Sequence, residues 1–152
     1  MLKSNNIKKG FTIIEVIIVL VIAAIIMLAV FLVVPQLQRN SRNARQQDNA
    51  RRTLTAVQQF VTNNQGSFPT GGQNILDITG TMKNPSTNSD LVAADIAVGT
   101  VGTAPSLTTA GKIFIYNAGK CSGSTNTATA TNAYAVIIAT EPSGSGFCVD
   151  IQ

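Results

Sequence analysis

Residues 16–34, VIIVLVIAAIIMLAVFLVV, form an unbroken run of nineteen apolar positions. The ten residues at the start, MLKSNNIKKG, are polar and basic, and beyond residue 60 the chain turns rich in Thr, Ser, Asn, Gly and Ala. At about 1.5 Å per residue the apolar run spans roughly 28 Å as a helix, close to the ~30 Å hydrocarbon thickness of a bilayer. A secretory signal has a shorter apolar core of about 7–15 residues, ahead of a small-residue cleavage site. Pro35 and Gln36 follow instead. The pattern predicts a membrane-spanning helix that is retained.

The helical pattern runs from Thr12 to Asn63, with Pro35 as a bend where the helix leaves the lipid. Past it, Leu37, Ala44, Leu54, Val57, Phe60 and Val61 recur at roughly helical spacing, more clearly after residue 50. That second half has one apolar stripe that requires a cover. Gly66 is expected as the C-cap, and Pro69 forbids resumption of the helix. The segments ILDI (75–78) and LVAADIAV (91–98) read as short strands or a short helix. KIFIYN (112–117), AYAVIIAT (133–140) and GFCVDI (146–151) read as strands, with EPSGSG (141–146) as a hairpin turn. GKCSGSTNTATATN (119–132) reads as a polar surface loop. The expected fold is α+β: a long N-terminal helix, transmembrane then amphipathic, packed on a small antiparallel sheet. The expected divisions are 1–10 as a leader, 11–35 as the apolar helix, 36–65 as the amphipathic helix and 66–152 as the head.

Charge adds little. The net +4 falls to +1 if the chain is cut after Gly10, because Lys3, Lys8 and Lys9 leave with the leader. That is not the composition of a nucleic-acid-binding domain. No histidine occurs, which removes the commonest general base and metal ligand together. The two cysteines, Cys121 and Cys148, would stay free thiols in a reducing cytosol. A retained span implies an exported C-terminal part, where a disulfide is favoured. No catalytic, cofactor or metal constellation is present. Ser residues of 122–124 have no partner base, Glu141 stands without a second carboxylate, and PSTNSD (85–90) lacks the alternating acids of a calcium loop. Gly71–Gly72 is a turn, not a phosphate loop.

Glu15 is the one acid at the edge of the apolar run. It is either an interfacial residue reaching the headgroups or one half of a charge pair. Cleavage after Gly10 would turn the Phe11 nitrogen into an ammonium, which shares a helix face with Glu15. The pair would form within one chain, or between staggered neighbours, where it would fix register.

KKGFTIIEVIIVLVIAAII (8–26) resembles the N-terminal signature of type IV prepilins and the related pseudopilins. The resemblance implies cleavage after Gly10 by a prepilin peptidase, N-methylation of Phe11 and an assembly role for Glu15. FVTNNQGSFPT (60–70) resembles the helix exit of these proteins, and Cys121 with Cys148 resembles the disulfide of many pilin heads. Unlike many members, residues 16–34 contain neither Gly nor Pro. Five arginines follow the span against three lysines before it, so charge asymmetry alone does not set orientation; the signature does. The implied function is a pilus subunit for adhesion, motility or DNA uptake. It would be a homopolymer held in the inner membrane as precursor, extruded by a pilus assembly machine, and extracellular once assembled. A pseudopilin of a secretion or competence system is the alternative, and a single-pass binding protein that never polymerises is a third. Arg39, Arg42 and Arg45 form a partial stripe that is solvated or in headgroup contact. Alternatively they pair with neighbours' Asp48, Asp77, Asp90 or Asp95, or give salt-sensitive, non-specific contact with DNA or an acidic wall polymer.

Overall fold

The computed structural model describes residues 10–99, 101–125 and 127–151. The leader expected over 1–10, with its three lysines, therefore lies outside the described residues except for Gly10. The elements are α1 (Ile13–Asn63), α2 (Gly72–Thr79), a short 3-10 turn (Ala93–Asp95), β1 (Ile96–Gly99), β2 (Ile113–Cys121), β3 (Thr127–Thr140) and β4 (Ser145–Ile151). The chain divides into two compact units, residues 1–38 and 39–152, taken in turn below.

In the first unit, α1 is apolar on every side, and every residue from Val16 to Val34 is exposed. A helix apolar all round needs lipid or other helices around it. It is long and apolar enough to cross a membrane. Helical structure continues through Pro35.

In the second unit, α1 buries Ala50, Leu54, Ala56 and Val57 against Ile113 and Ile115 of β2, Val136 and Ile138 of β3, and Ile75 of α2. Spacings of four, three and seven place Ala50, Leu54 and Val57 on one face, and Ala56 lies at its flank, three residues from Thr53. The stripe differs from the expected one at its start. Leu37 and Ala44 are exposed, whereas Gln46, Asn49 and Thr53 are buried. Each of the three makes a hydrogen bond from its side chain, although the buried Gln46 Oε1 has no partner. Asn49 Nδ2 donates to the Lys83 carbonyl at 2.9 Å, Gln46 Nε2 to Ser86 Oγ at 3.1 Å, and Thr53 Oγ1 to the Asn49 carbonyl at 2.9 Å.

The helix ends in a Schellman arrangement whose left-handed residue is Gln65 (φ 55°), with the Gly66 amide bonding back to the Val61 carbonyl at 2.8 Å. Gly66 thus follows the turn residue that was expected to be itself. ILDI lies within α2. Residues 91–98 divide between the 3-10 turn and the start of β1.

The sheet order is β1-β2-β3-β4. β2, β3 and β4 are antiparallel neighbours, as the alternating runs predict, but β1 joins β2 in parallel, with Ile96 beside Ile113, so the sheet is mixed. Alternation sends Tyr116, Ala135, Ile137 and Ala139 to the face away from α1, where they pack with Leu107, Phe114 and Cys148.

The surface loop expected at 119–132 is instead largely strand. β2 continues to Cys121 and β3 begins at Thr127, paired as Cys121–Thr127 and Gly119–Thr129 past a bulge at Asn117/Gly119. A ladder is built from backbone bonds, and the period-two threonines of TATAT suit it without apolar content. Cys121 is disulfide-bonded to Cys148 of β4, their Cα atoms 5.8 Å apart, and the Cys121 amide donates to Asp150 Oδ2 at 2.6 Å. These ties hold the hairpin arm to β4.

Candidate functional site

The N-terminal motif begins outside any regular element. Gly10 and Phe11 precede the helix; Phe11 is 89% exposed, and nothing lies within 4 Å of where a Gly10 side chain would stand. Both residues of the expected cut are thus exposed and outside the helix.

The helix starts at Ile13, which makes Thr12 its N-cap and Glu15 its third residue. These two side chains cap the helix reciprocally. The Glu15 amide donates to Thr12 Oγ1 at 3.4 Å, while the Thr12 amide and hydroxyl donate to Glu15 Oε2 at 3.2 Å and 3.1 Å. Four backbone amides at a helix start have no helical partner, and the reciprocal Thr-x-x-Glu pair satisfies two of them. A carboxylate in the first turn also complements the positive end of the helix. The T-I-I-E spacing is itself a capping-box signature, legible in the sequence. The geometry bears on the charge pair as well: Glu15 already accepts from the amide one residue beyond Phe11. Phe11, Glu15, Val19 and Leu20 line one face of the helix.

A second polar centre joins α1 to the head around Glu141, which sequence reading left as an isolated acid. Arg42 Nε and Nη2 donate to its two oxygens at 2.8 Å and 2.7 Å, and Ser86 Oγ adds a bond of 2.7 Å. Asn43 grips the same residue by its backbone, donating to the carbonyl at 2.7 Å and accepting from the amide at 2.9 Å. The Arg42 and Ser86 hydrogen bonds hold the Glu141 carboxyl down at about 2, against the opposing effect of partial burial. Arg42 is thus engaged inside its own chain. The other two members of the expected stripe, Arg39 and Arg45, are exposed.

Among the described residues no group of three or more His, Cys, Asp or Glu could hold a metal ion. The acids named as partners for neighbouring copies all have contacts at home. Asp48 meets Arg52 at 2.9 Å, Asp90 meets Lys83 at 3.1 Å, Asp77 accepts from Gln73 at 2.7 Å, and Asp95 accepts from the Val92 amide at 3.1 Å.

Residues 5–31 match the family model of the prokaryotic N-terminal methylation motif. No curated protein and no solved structure matches the chain. The matched motif is that of structural pilin-type proteins and not of an enzyme family. It supports a type IV pilin or pseudopilin in general, and with the apolar helix it fits a membrane-anchored precursor. The chain therefore carries, over residues 5–31, the N-terminal methylation signal shared by type IV pilins and pseudopilins, joined to a long helix and a small mixed sheet.

Proposed function

We propose that this chain is the structural subunit of a type IV pilus. In this reading the prepilin peptidase cuts after Gly10 and methylates Phe11, and assembly proteins then draw the subunit from the inner membrane into an extracellular fibre. The divisions are a leader over 1–10, a membrane and filament-core helix over 11–35, an amphipathic helix over 36–65 and a surface head over 66–152. The carrying observation is the methylation signal running directly into a helix whose Val16–Val34 stretch is apolar and exposed on all sides. Such a surface is covered by lipid first and by the helices of neighbouring copies afterwards. Glu15 is the assembly residue. Its carboxylate accepts from the Thr12 amide, one residue along the chain from the nitrogen that cleavage would free, and an unpaired charge in a dry bundle costs more than a paired one.

The reading is tested on fibres sheared from cells and analysed by mass spectrometry of the N-terminus. The expected species lacks residues 1–10 and carries a methyl group on Phe11, in fibres made mainly of this chain. An intact leader, or fibres seen only as short periplasmic stubs, would overturn the pilus subunit in favour of an anchored protein or a pseudopilin.

A further inference from the structure

Beside its buried stripe, α1 borders two open recesses. Arg45, Asp48, Asn49 and Arg52 line an open recess of about 190 Å³ whose other wall is Thr81, Met82, Lys83, Pro85 and Asn88. Arg52, Thr55, Ala56 and Gln59 line a second recess of about 330 Å³, walled by Ile78 and Thr79. The two share Arg52, and the spacing 45, 48, 52, 55, 59 follows one helix face. Together they make a trough of mixed polar and apolar lining that runs along α1 for about 21 Å at a 1.5 Å rise per residue.

We propose that this trough binds an acidic polysaccharide, a glycan carrying carboxylates at intervals along its length. Three cations face it: Arg45, Arg52 and Lys83. Arg52 and Lys83 each have one exposed carboxylate partner, Asp48 and Asp90, whereas no carboxylate among the described residues lies within salt-bridge distance of Arg45. The trough therefore lacks one negative charge. A second copy of this chain is a poor source for it, because the head's acids are each engaged within their own chain; Glu141 holds Arg42 and Asp150 holds the Cys121 amide.

The lining chooses among outside polyanions. Neither recess is lined by an aromatic ring among the described residues, so stacked bases have no platform. Duplex DNA carries one charge per ~1.7 Å of axis, and that density would press against Asp48 and Asp90. A glycan spaces its carboxylates with hydroxyls, which donate to those same acids and exchange bonds with Thr55, Gln59 and Thr81. Arg45 and Arg52 stand seven residues apart, about 10 Å along the helix, which suits charges separated by sugar rings. Arginine favours carboxylate through its two-pronged geometry.

The test uses the full-length chain in detergent micelles and a fluorescent oligogalacturonate, with binding read by anisotropy at low salt. Saturable binding is expected. Arg45→Gln should weaken it at least fivefold, Arg45→Lys by less than threefold, and Lys120→Gln, on the distant hairpin arm, should leave it unchanged. An uncharged maltodextrin of equal length should not bind. The proposal is overturned by absence of saturable binding, or by equal losses in the Arg45→Gln and Lys120→Gln proteins. An Arg45-dependent affinity for duplex DNA that matches or exceeds that for the glycan overturns it too. Unfolding midpoints of the variants are expected to match the parent, since both side chains are exposed.

Discussion

Arg42 and Glu141, ninety-nine positions apart in sequence, meet through two parallel hydrogen bonds of 2.8 Å and 2.7 Å. The fork of the guanidinium matches the two carboxylate oxygens, so the contact fixes direction as well as distance. Ser86 and Asn43 complete the setting, one from the loop beside α1 and one from the helix itself. The turn between β3 and β4 is thereby pinned to the part of α1 that precedes the apolar stripe.

This pairing has a pH signature. The folded-state pKa of Glu141 lies at about 2, below its ordinary 4.5. A depressed carboxyl stabilises the fold fully above the unfolded value, and that stabilisation is lost as pH falls from about 4.5 toward 2. Glu141→Gln should remove about 1–2 kcal/mol at neutral pH, a figure discounted because the pair is partly open to water. It should also flatten the acid limb of the stability curve. Urea unfolding in detergent at pH 7 and pH 3 reads both. An unchanged difference between the two pH values in the variant would sink the assignment.

Gly72, the first residue of α2, sits against β1 with no room for a side chain. A Cβ there would overlap the Ala93 carbonyl and the Ile96 side chain. Gly72→Ala should cost about 1–3 kcal/mol through forced separation of α2 from β1. Gly71→Ala, beside it, faces open space and should be nearly neutral. Comparing the two unfolding midpoints separates packing from any general effect of replacing glycine.

The disulfide between Cys121 and Cys148 closes a loop of sequence separation 27. By the chain-entropy estimate it contributes about 3.5 kcal/mol. Cys121→Ser should lower stability by that order and leave the Cys148 thiol reactive. The parent should take up no thiol reagent until it is reduced. Mass spectrometry after alkylation counts the labels, and a labelled Cys148 in the unreduced parent would contradict the bond.

Much of this architecture was legible because it rests on local periodicity. The nineteen-residue apolar run, the stripe at Leu54 and Val57, and the alternations of β2, β3 and β4 each repeat within a few residues. What escaped depends on partners brought from afar. Glu141 looked isolated because its partners lie on α1 and in the 84–91 loop. Gln46 and Asn49 fall outside the apolar stripe read from the sequence, because what accommodates them in the interior is the Lys83 carbonyl and Ser86. The parallel pairing of β1 with β2 depends on the course of the connection between them, which no local pattern states. The hairpin arm was missed for a different reason, since its strands carry threonine and alanine where apolar residues were sought. Thr12 and Glu15 are the instructive exception, a local cap in plain view.

That cap makes it possible to separate two roles of Glu15. If the carboxylate served the helix start alone, an uncharged acceptor of the same length would replace it, because glutamine also fills the third position of a capping box. If it also neutralises the Phe11 ammonium in a packed bundle, charge is indispensable. Glu15→Gln should therefore leave membrane insertion and leader cleavage intact while fibre yield falls at least tenfold. Glu15→Val should lose the cap and the charge together, with the same loss of fibres. Thr12→Val removes the hydroxyl from the cap and keeps the carboxylate; its expected cost is about 1 kcal/mol at the helix start, with fibres still formed. Immunoblots of membranes and of sheared fibres score all three proteins in one experiment. Ordinary fibre yield from Glu15→Gln would reduce Glu15 to a capping residue and remove it from assembly.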